Sequence, residues 1–405
     1  MVYRMVEKSI NESLSVSRVV HLTGIRQCGK TTLVESLPLA KKSVRSLDDA
    51  MQRRIASDDP TGFVRRMSNE TMVIDEIQKE PAVLDAIKYA VDHDSSRGQY
   101  LITGSANLAL LSKVGDSLAG RKVTCRLRTF SQAEMEGRKP AFVQQAFSGR
   151  FLSGEFRADK HEIIRRALLG GFPGVVGLES REDRYRLLND YLDDILKKDV
   201  KDVGEIRKLP VLRRLVREMM ARSSKFANTD EFATALGVSR TTIASYIAAL
   251  ESVYLFDKVP AFSDSDYGLV SRPKYFVADT SLVSATFGYR EDEVYLSDDR
   301  CGKIVESWVY QQLAAESEWL NDVEISHYRD IDKREIDFVL TRRDGSVVAV
   351  EVKSGSVVSK SDFKHIVHLR DKVVAGRFRC GIVLYSGSMI VEIGDGLWAV
   401  PMAVL

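Results

Sequence analysis

The chain has 405 residues, 44% hydrophobic and 29% charged, which excludes a disordered or fibrous protein and leaves room for two or three domains. Its longest apolar runs, such as Val347 to Val350, fall far short of the ~20 residues a membrane-spanning helix needs, and residues 1–20 lack the apolar stretch of a signal peptide. Net charge is +6 over residues 1–150, +2 over 151–260 and −6 over 261–405, so anion binding is expected in the first two thirds.

In chain order, "VVHLT", "MVIDEI" and "YLITG" are short apolar runs separated by longer mixed segments. They predict buried strands of a parallel α/β sheet within residues 1–150. Residues 151–260 read as almost wholly helical. "PVLRRLVREMMARS" keeps apolar residues at helical spacing, with Pro210 suited to a first turn. "TDEFATALGVSRTTIASYIAALESVYLFDKV" predicts a helix-turn-helix followed by a strand, with Thr229 as one N-cap, Gly237 at the turn and Ser239 capping a second helix to about Ser252. A winged helix is expected there. Its second helix would offer Arg240, Thr241, Thr242 and Ser245, either to base edges or, as its single basic residue favours, to packing against neighbouring domains. Over 261–405 strand runs return: "KYFVAD", "EIDFVL", "VVAVEV", "CGIVLY" and "MIVEI", with a helix at about Lys303 to Ser317 before the last four. Cys28, Cys125, Cys301 and Cys380 lie far apart, which excludes a CxxC zinc site and a disulfide scaffold and favours a reducing, cytoplasmic setting.

Four segments carry chemistry. "GIRQCGKTT" places Gly24, Gly29, Lys30 and Thr31 at the fixed positions of G-x-x-x-x-G-K-[ST], with a strand before and a helix after. Backbone N–H groups can wrap phosphates only where glycine leaves room, so Gly24, Ile25, Arg26, Gln27, Cys28, Gly29, Lys30, Thr31 and Thr32 form the expected nucleotide site. Lys30 would reach the β- and γ-phosphates of ATP, and Thr31 would bind Mg²⁺. At the end of "MVIDE", Asp75 is expected to hold Mg²⁺ and Glu76 to orient the attacking water. The strand end Thr103, Gly104, Ser105, Asn107 either senses the γ-phosphate, with Ser105 in the catalytic set, or is an ordinary turn. Arg121, after Gly120, is either a stabiliser of γ-phosphate charge, in cis or from a neighbour, or part of a basic surface strand.

These blocks, with "LDDAMQRRIASDDPTGFV", "FSQAEM", "GGFPGVV", "YLDDILKKDV" and "KYFVADTSL", resemble prokaryotic AAA-like P-loop ATPases that carry a C-terminal domain of unknown function. The resemblance runs through nearly the whole chain and implies an AAA-like ATPase domain at 1–150, a helical and winged-helix region at 151–260 and a separate domain at 261–405. Ile25 and Cys28 depart from the proline and apolar residue expected of such a loop, without removing a phosphate contact. Cys28 is read as a small space-filler or as an oxidisable thiol beside Lys30.

"REIDFVLTRRDGSVVAVEVKSG" looks like the PD-(D/E)XK nuclease core, in which carboxylates bind Mg²⁺ and a lysine assists water. Only a three-residue turn ending at Gly345 sets Asp337 across from Glu351 and Glu335 across from Lys353; a two-residue turn would put Asp337 on the wrong face. Glu306, on the preceding helix, is the family's extra acidic position. Such a cluster is expected to hold Mg²⁺, and whether it cleaves is left open. His365 and His368, three apart with no third ligand, are expected to be a surface pair. Three uses of the ATPase follow: regulation on DNA or RNA, an ATP-gated nuclease, or a nucleotide switch for a protein partner or a homo-oligomer.

Overall fold

The structure is a computed structural model that describes residues 2–405 apart from 68, 105–117, 152, 153, 155, 157, 205, 207, 227 and 264–271; the side chains of 202 and 203 are likewise not described. The N-terminal third is built on five strands: β1 Val19–Thr23, β2 Lys42–Ser46, β3 Thr71–Asp75, β4 Tyr100–Gly104 and β5 Lys122–Arg126. They form one parallel sheet in the order β2-β3-β4-β1-β5. β1 and β4 are buried at every position, as their unbroken apolar runs require of central strands covered on both faces. Since β4 lies between β1 and β3, its C-terminal end stands between the loop after β1 and the acidic end of β3.

The middle of the chain is helical from Lys160–Leu169 through Arg181–Asp194 to three packed helices, Leu209–Ala221, Thr229–Leu236 and Arg240–Ser252. Pro210 sits in the first turn of the first of these. Gly237 takes the left-handed conformation (φ +64°) that ends the second, and the Ser239 hydroxyl accepts from the Thr242 N–H to cap the third. The cap before Thr229 is Asn228, whose side chain accepts from the Asp230 N–H, so Thr229 itself is the first helical residue. After these helices β6 Phe256–Val259 pairs antiparallel with β7 Lys274–Val277, and Phe226 bridges to Lys274. A sequence boundary at 260 therefore falls inside a hairpin.

The last third is a mixed sheet of β8 Val323–Arg329, β9 Glu335–Arg342, β10 Val347–Lys353, β11 Phe378–Tyr385, β12 Val391–Gly394 and β13 Leu397–Pro401, in the order β12-β13-β11-β10-β9-β8. The helix Asp298–Leu320 packs on it, longer at both ends than its amphipathic stretch suggested. Helix Phe142–Ser148 also rests on β10 and β11, so these residues lie with the last third rather than the first. One hydrophobic cluster runs from Val20 and Leu22 through Phe232 and Leu250 to Phe338 and Ile382, joining all three regions in a shared core. Among the described residues no helix is long and apolar enough to cross a membrane.

Candidate nucleotide site and C-terminal carboxylate centre

The loop after β1 turns on two glycines. Gly24 has φ +144°, and a Cβ there would lie 2.1 Å from the Leu127 carbonyl oxygen, so no other residue fits without moving backbone. Gly29, at φ +101°, leads into the helix Lys30–Ser36. The Lys30 ammonium is buried and donates to the carbonyls of Gly24 (2.8 Å) and Ile25 (3.0 Å) within its own loop. Buried Cys28 fills space beneath it. Arg26 and Gln27 are exposed at the rim, as are Thr31 and Thr32.

Three strand ends converge beside this loop. The Thr31 hydroxyl donates to Asp75 Oδ2 at 2.9 Å, and the Thr103 hydroxyl donates to Asp75 Oδ1. Thr103 also accepts from the Glu76 N–H at 3.2 Å, which ties the end of β4 to the backbone at the end of β3. Glu76 has φ +57°, and Gln78 donates to its carboxylate. Burial raises the Glu76 carboxyl above its ordinary range, Lys30 opposes the rise, and Asp75 adds to it. The Thr31 and Asp75 oxygens form the hard-oxygen pair that suits a nucleotide-bound Mg²⁺, with phosphate oxygens and water left to complete an octahedron. That donor set fits the ion.

The loop is also held from outside. Arg4 donates to the carbonyls of Cys28 (3.0 Å) and Arg128 (2.6 Å) and pairs with Glu134 (3.2 Å). Tyr191 donates to the Arg26 carbonyl at 2.8 Å, and Asp199 pairs with the Arg26 guanidinium at 3.2 Å. On the neighbouring strand ends, the Thr23 hydroxyl donates to Tyr254 Oη at 3.1 Å. Asp257 takes Arg126 at 2.7 Å and Arg128 at 2.6 Å, beside a 690 Å³ cavity that Tyr310 and Glu318 also line. Burial alone would raise the Asp257 carboxyl, but the two guanidiniums hold it far below its ordinary range.

Arg121 does not join this site. It precedes β5, whose first residue Lys122 is level with Val19, at the opposite edge of the sheet from the phosphate loop. Four strand residues, about 13 Å, separate the two edges, and the guanidinium is clamped to Asp92 at 2.6 and 3.1 Å. A role for Arg121 on its own chain's phosphates is therefore ruled out. Ser105 and Asn107 lie outside the described residues.

In the C-terminal sheet, Gly345 is left-handed (φ +81°) and closes a three-residue turn, its N–H donating to the Arg342 carbonyl at 2.9 Å. Val347 then pairs with Thr341 and Val350 with Phe338, and continuing that register sets Asp337 level with Glu351 and Glu335 level with Lys353. Asp337 accepts from the Val352 N–H at 2.9 Å, and Lys353 pairs with Glu351 at 3.0 Å. Glu306 is buried and reaches the same point from its helix. Burial and the nearby Asp337 push both Glu306 and Glu351 well above the ordinary carboxylate range.

The carboxylates expected to hold Mg²⁺ stand here around a cation of the chain itself. Among the described residues no group of three His, Cys, Asp or Glu side chains is set to hold a metal ion. The compensating charge comes from Lys274 of β7, which is fully buried among them and which no sequence pattern singles out. His365 and His368 part company, the first bonded to the Glu335 carbonyl at 3.0 Å and the second 3.9 Å from Asp330.

The parallel sheet order, the glycine-lined loop and the Thr31–Asp75–Thr103 junction together describe a P-loop nucleotide-binding module. Residues 16–136 match the family model of the AAA domain. This part of the chain is similar to AAA-type P-loop ATPase domains, which supports ATP binding and hydrolysis in general. Residues 160–293 and 301–405 match two domains of unknown function, DUF8612 and DUF4143. An uncharacterized protein of Mycobacterium tuberculosis is 25% identical over 399 residues, covering 97% of this chain and 82% of its own. One from Methanocaldococcus jannaschii is 23% identical over 368 residues, covering 86% and 77%. Among solved structures, the Thermotoga maritima RuvB branch migration motor is 17% identical, with 63% of this chain and 89% of its own covered and a TM-score of 0.28. AMPPCP-bound DnaA from Aquifex aeolicus is 15% identical, covering 61% and 85%, with a TM-score of 0.30. Likenesses of that size carry no argument about this chain.

Proposed function

We propose that the protein is a Mg²⁺-dependent ATPase whose nucleotide cycle acts on the helical middle and the C-terminal domain. The observation that carries this is the hydrogen-bonded junction of Thr31, Asp75, Thr103 and the Glu76 N–H beside a loop whose lysine is already inside it. In this reading the loop from Gly24 to Thr32 cradles the phosphates, and Lys30 exchanges the Gly24 and Ile25 carbonyls for phosphate oxygens. Thr31 and Asp75 would hold Mg²⁺, which when bound offsets the charge on the phosphates. Glu76, its carboxyl raised by burial and so a stronger base, orients the attacking water. Arg121 can serve only from a second copy of the chain, because its own loop is at the other end of the strand.

The coupling path we infer runs from Thr23, the last strand residue before the loop, to Tyr254, and from Arg126 and Arg128 to Asp257 at the head of the β6–β7 hairpin. Three helices, the Phe226 bridge and that hairpin suit a winged helix. The face Arg240, Thr241, Ala244, Ser245 and Ala248 is exposed rather than packed against a neighbouring domain, which favours nucleic acid as the object of the cycle. Duplex DNA and RNA titrated into a steady-state ATPase assay test this. Turnover that rises with either, and more steeply at low salt, is the expected result. Unchanged turnover with both would favour a switch for a protein partner.

A further inference from the structure

The C-terminal carboxylate centre already contains a cation. Lys274 opens β7, a strand of the hairpin rather than of the C-terminal sheet, and its side chain is 0% exposed. Its ammonium lies 2.9 Å from Glu335, 3.0 Å from Glu306 and 3.6 Å from Asp337. Those acids come from β9 and the helix Asp298–Leu320, so three separate elements meet at one nitrogen. The Phe226 ring, 5.5 Å from the ammonium, covers it, and Arg329 lies over the same ring at 4.6 Å.

Four cationic side chains already stand against these carboxyls. Glu306, Glu335, Asp337 and Glu351 face Lys274, Lys353, Lys225 at 3.8 Å from Glu306, and Arg329 at 3.4 Å from Glu335. A divalent ion held by Glu306, Glu335 and Asp337 would need their oxygens at about 2.0–2.6 Å, in the space that the Lys274 ammonium fills, and would bring like charges into contact beside that buried lysine. We propose that Lys274 is the resident cation of this centre: it stands in for a divalent ion, excludes one while β7 is docked, and leaves the nuclease-like core a clamp between the hairpin and the C-terminal sheet rather than a cleaving site.

The test is a Mn²⁺ titration of the full-length, nucleotide-free protein followed by electron paramagnetic resonance. Wild type, Asp337→Asn, Lys274→Met and the double variant Lys274→Met/Asp337→Asn are compared, each checked for folding by circular dichroism. Any Mn²⁺ at the phosphate loop is common to all four and cancels. Lys274→Met should take up one more Mn²⁺ than wild type, and the double variant should lose it. If Lys274→Met does not fold, Lys274→Gln, which keeps an N–H donor without the charge, is read in the same way. A Mn²⁺ bound by wild type and removed by Asp337→Asn overturns the proposal, as does a folded Lys274 variant that gains none.

Discussion

Thr103 is fully buried at the end of β4, and its hydroxyl makes two bonds that meet at the hydrolytic side of the nucleotide site. Thr103→Val keeps the branched shape and removes only the hydroxyl. The hydrogen bond to the Asp75 carboxylate is of the charged kind, worth about 1.5–3 kcal/mol, and the Glu76 N–H is left without its acceptor at a further cost of about 1–3 kcal/mol. Urea unfolding should therefore show a loss of roughly 2.5–6 kcal/mol, which packing alone does not explain because no cavity is made. Asp75 keeps Thr31 but can rotate, and the Glu76 backbone is released. A loss of positioning worth about 1.4–2.7 kcal/mol in the transition state corresponds to a kcat lowered by about 10- to 100-fold. Thr103→Ser restores the hydroxyl and should recover most of the turnover. Wild-type turnover in Thr103→Val, or a defect in Thr103→Ser as large as in valine, would refute the role given to this hydroxyl.

Two further outcomes follow from buried charge. Asp257→Asn leaves Arg126 and Arg128 with a neutral partner in the interior and should lower stability by about 3–5 kcal/mol in chemical denaturation, whereas Glu318→Gln, at the exposed edge of the same network, should cost under about 1 kcal/mol. Burial, with Lys122 and Lys30 nearby, lowers His21 to about 3, and burial, with Lys274, lowers His327 to about 4. Both are neutral in the fold but take up a proton in the unfolded chain below about 6.5, so their stability is present above that pH and is lost as the pH falls. Between pH 6.5 and 5 each should account for about 2 kcal/mol, so a folded His21→Gln should lose about 2 kcal/mol less stability than wild type across that window.

How much of this was legible beforehand depended on whether the information was local. The phosphate loop is a contiguous pattern, so Gly24, Gly29, Lys30 and Thr31 could be placed from spacing alone. The β9–β10 register was legible for the same reason: alternation and a glycine at the αL position leave one pairing that puts Asp337 beside Glu351. What escaped was long-range. That β4 lies between β1 and β3 is a property of sheet order, and it makes Thr103 the hinge of the site. Arg121 follows a suggestive glycine, but strand direction carries it to the far edge. Lys274, in "RPKYFVAD", looks like any strand-flanking lysine until the helix carrying Glu306 closes over it. Arg4, 24 residues before Cys28, has no sequence feature that links it to the loop.

The most direct test of the central claim is equilibrium ATP binding and single-turnover hydrolysis in Glu76→Gln, with Lys30→Ala alongside. Glu76→Gln should bind ATP and Mg²⁺ as wild type does and hydrolyse it at least ~10³-fold more slowly, while Lys30→Ala should lose binding itself. Full turnover in folded Glu76→Gln would contradict the role of Glu76, and full turnover in Lys30→Ala would remove the phosphate loop as the site of catalysis.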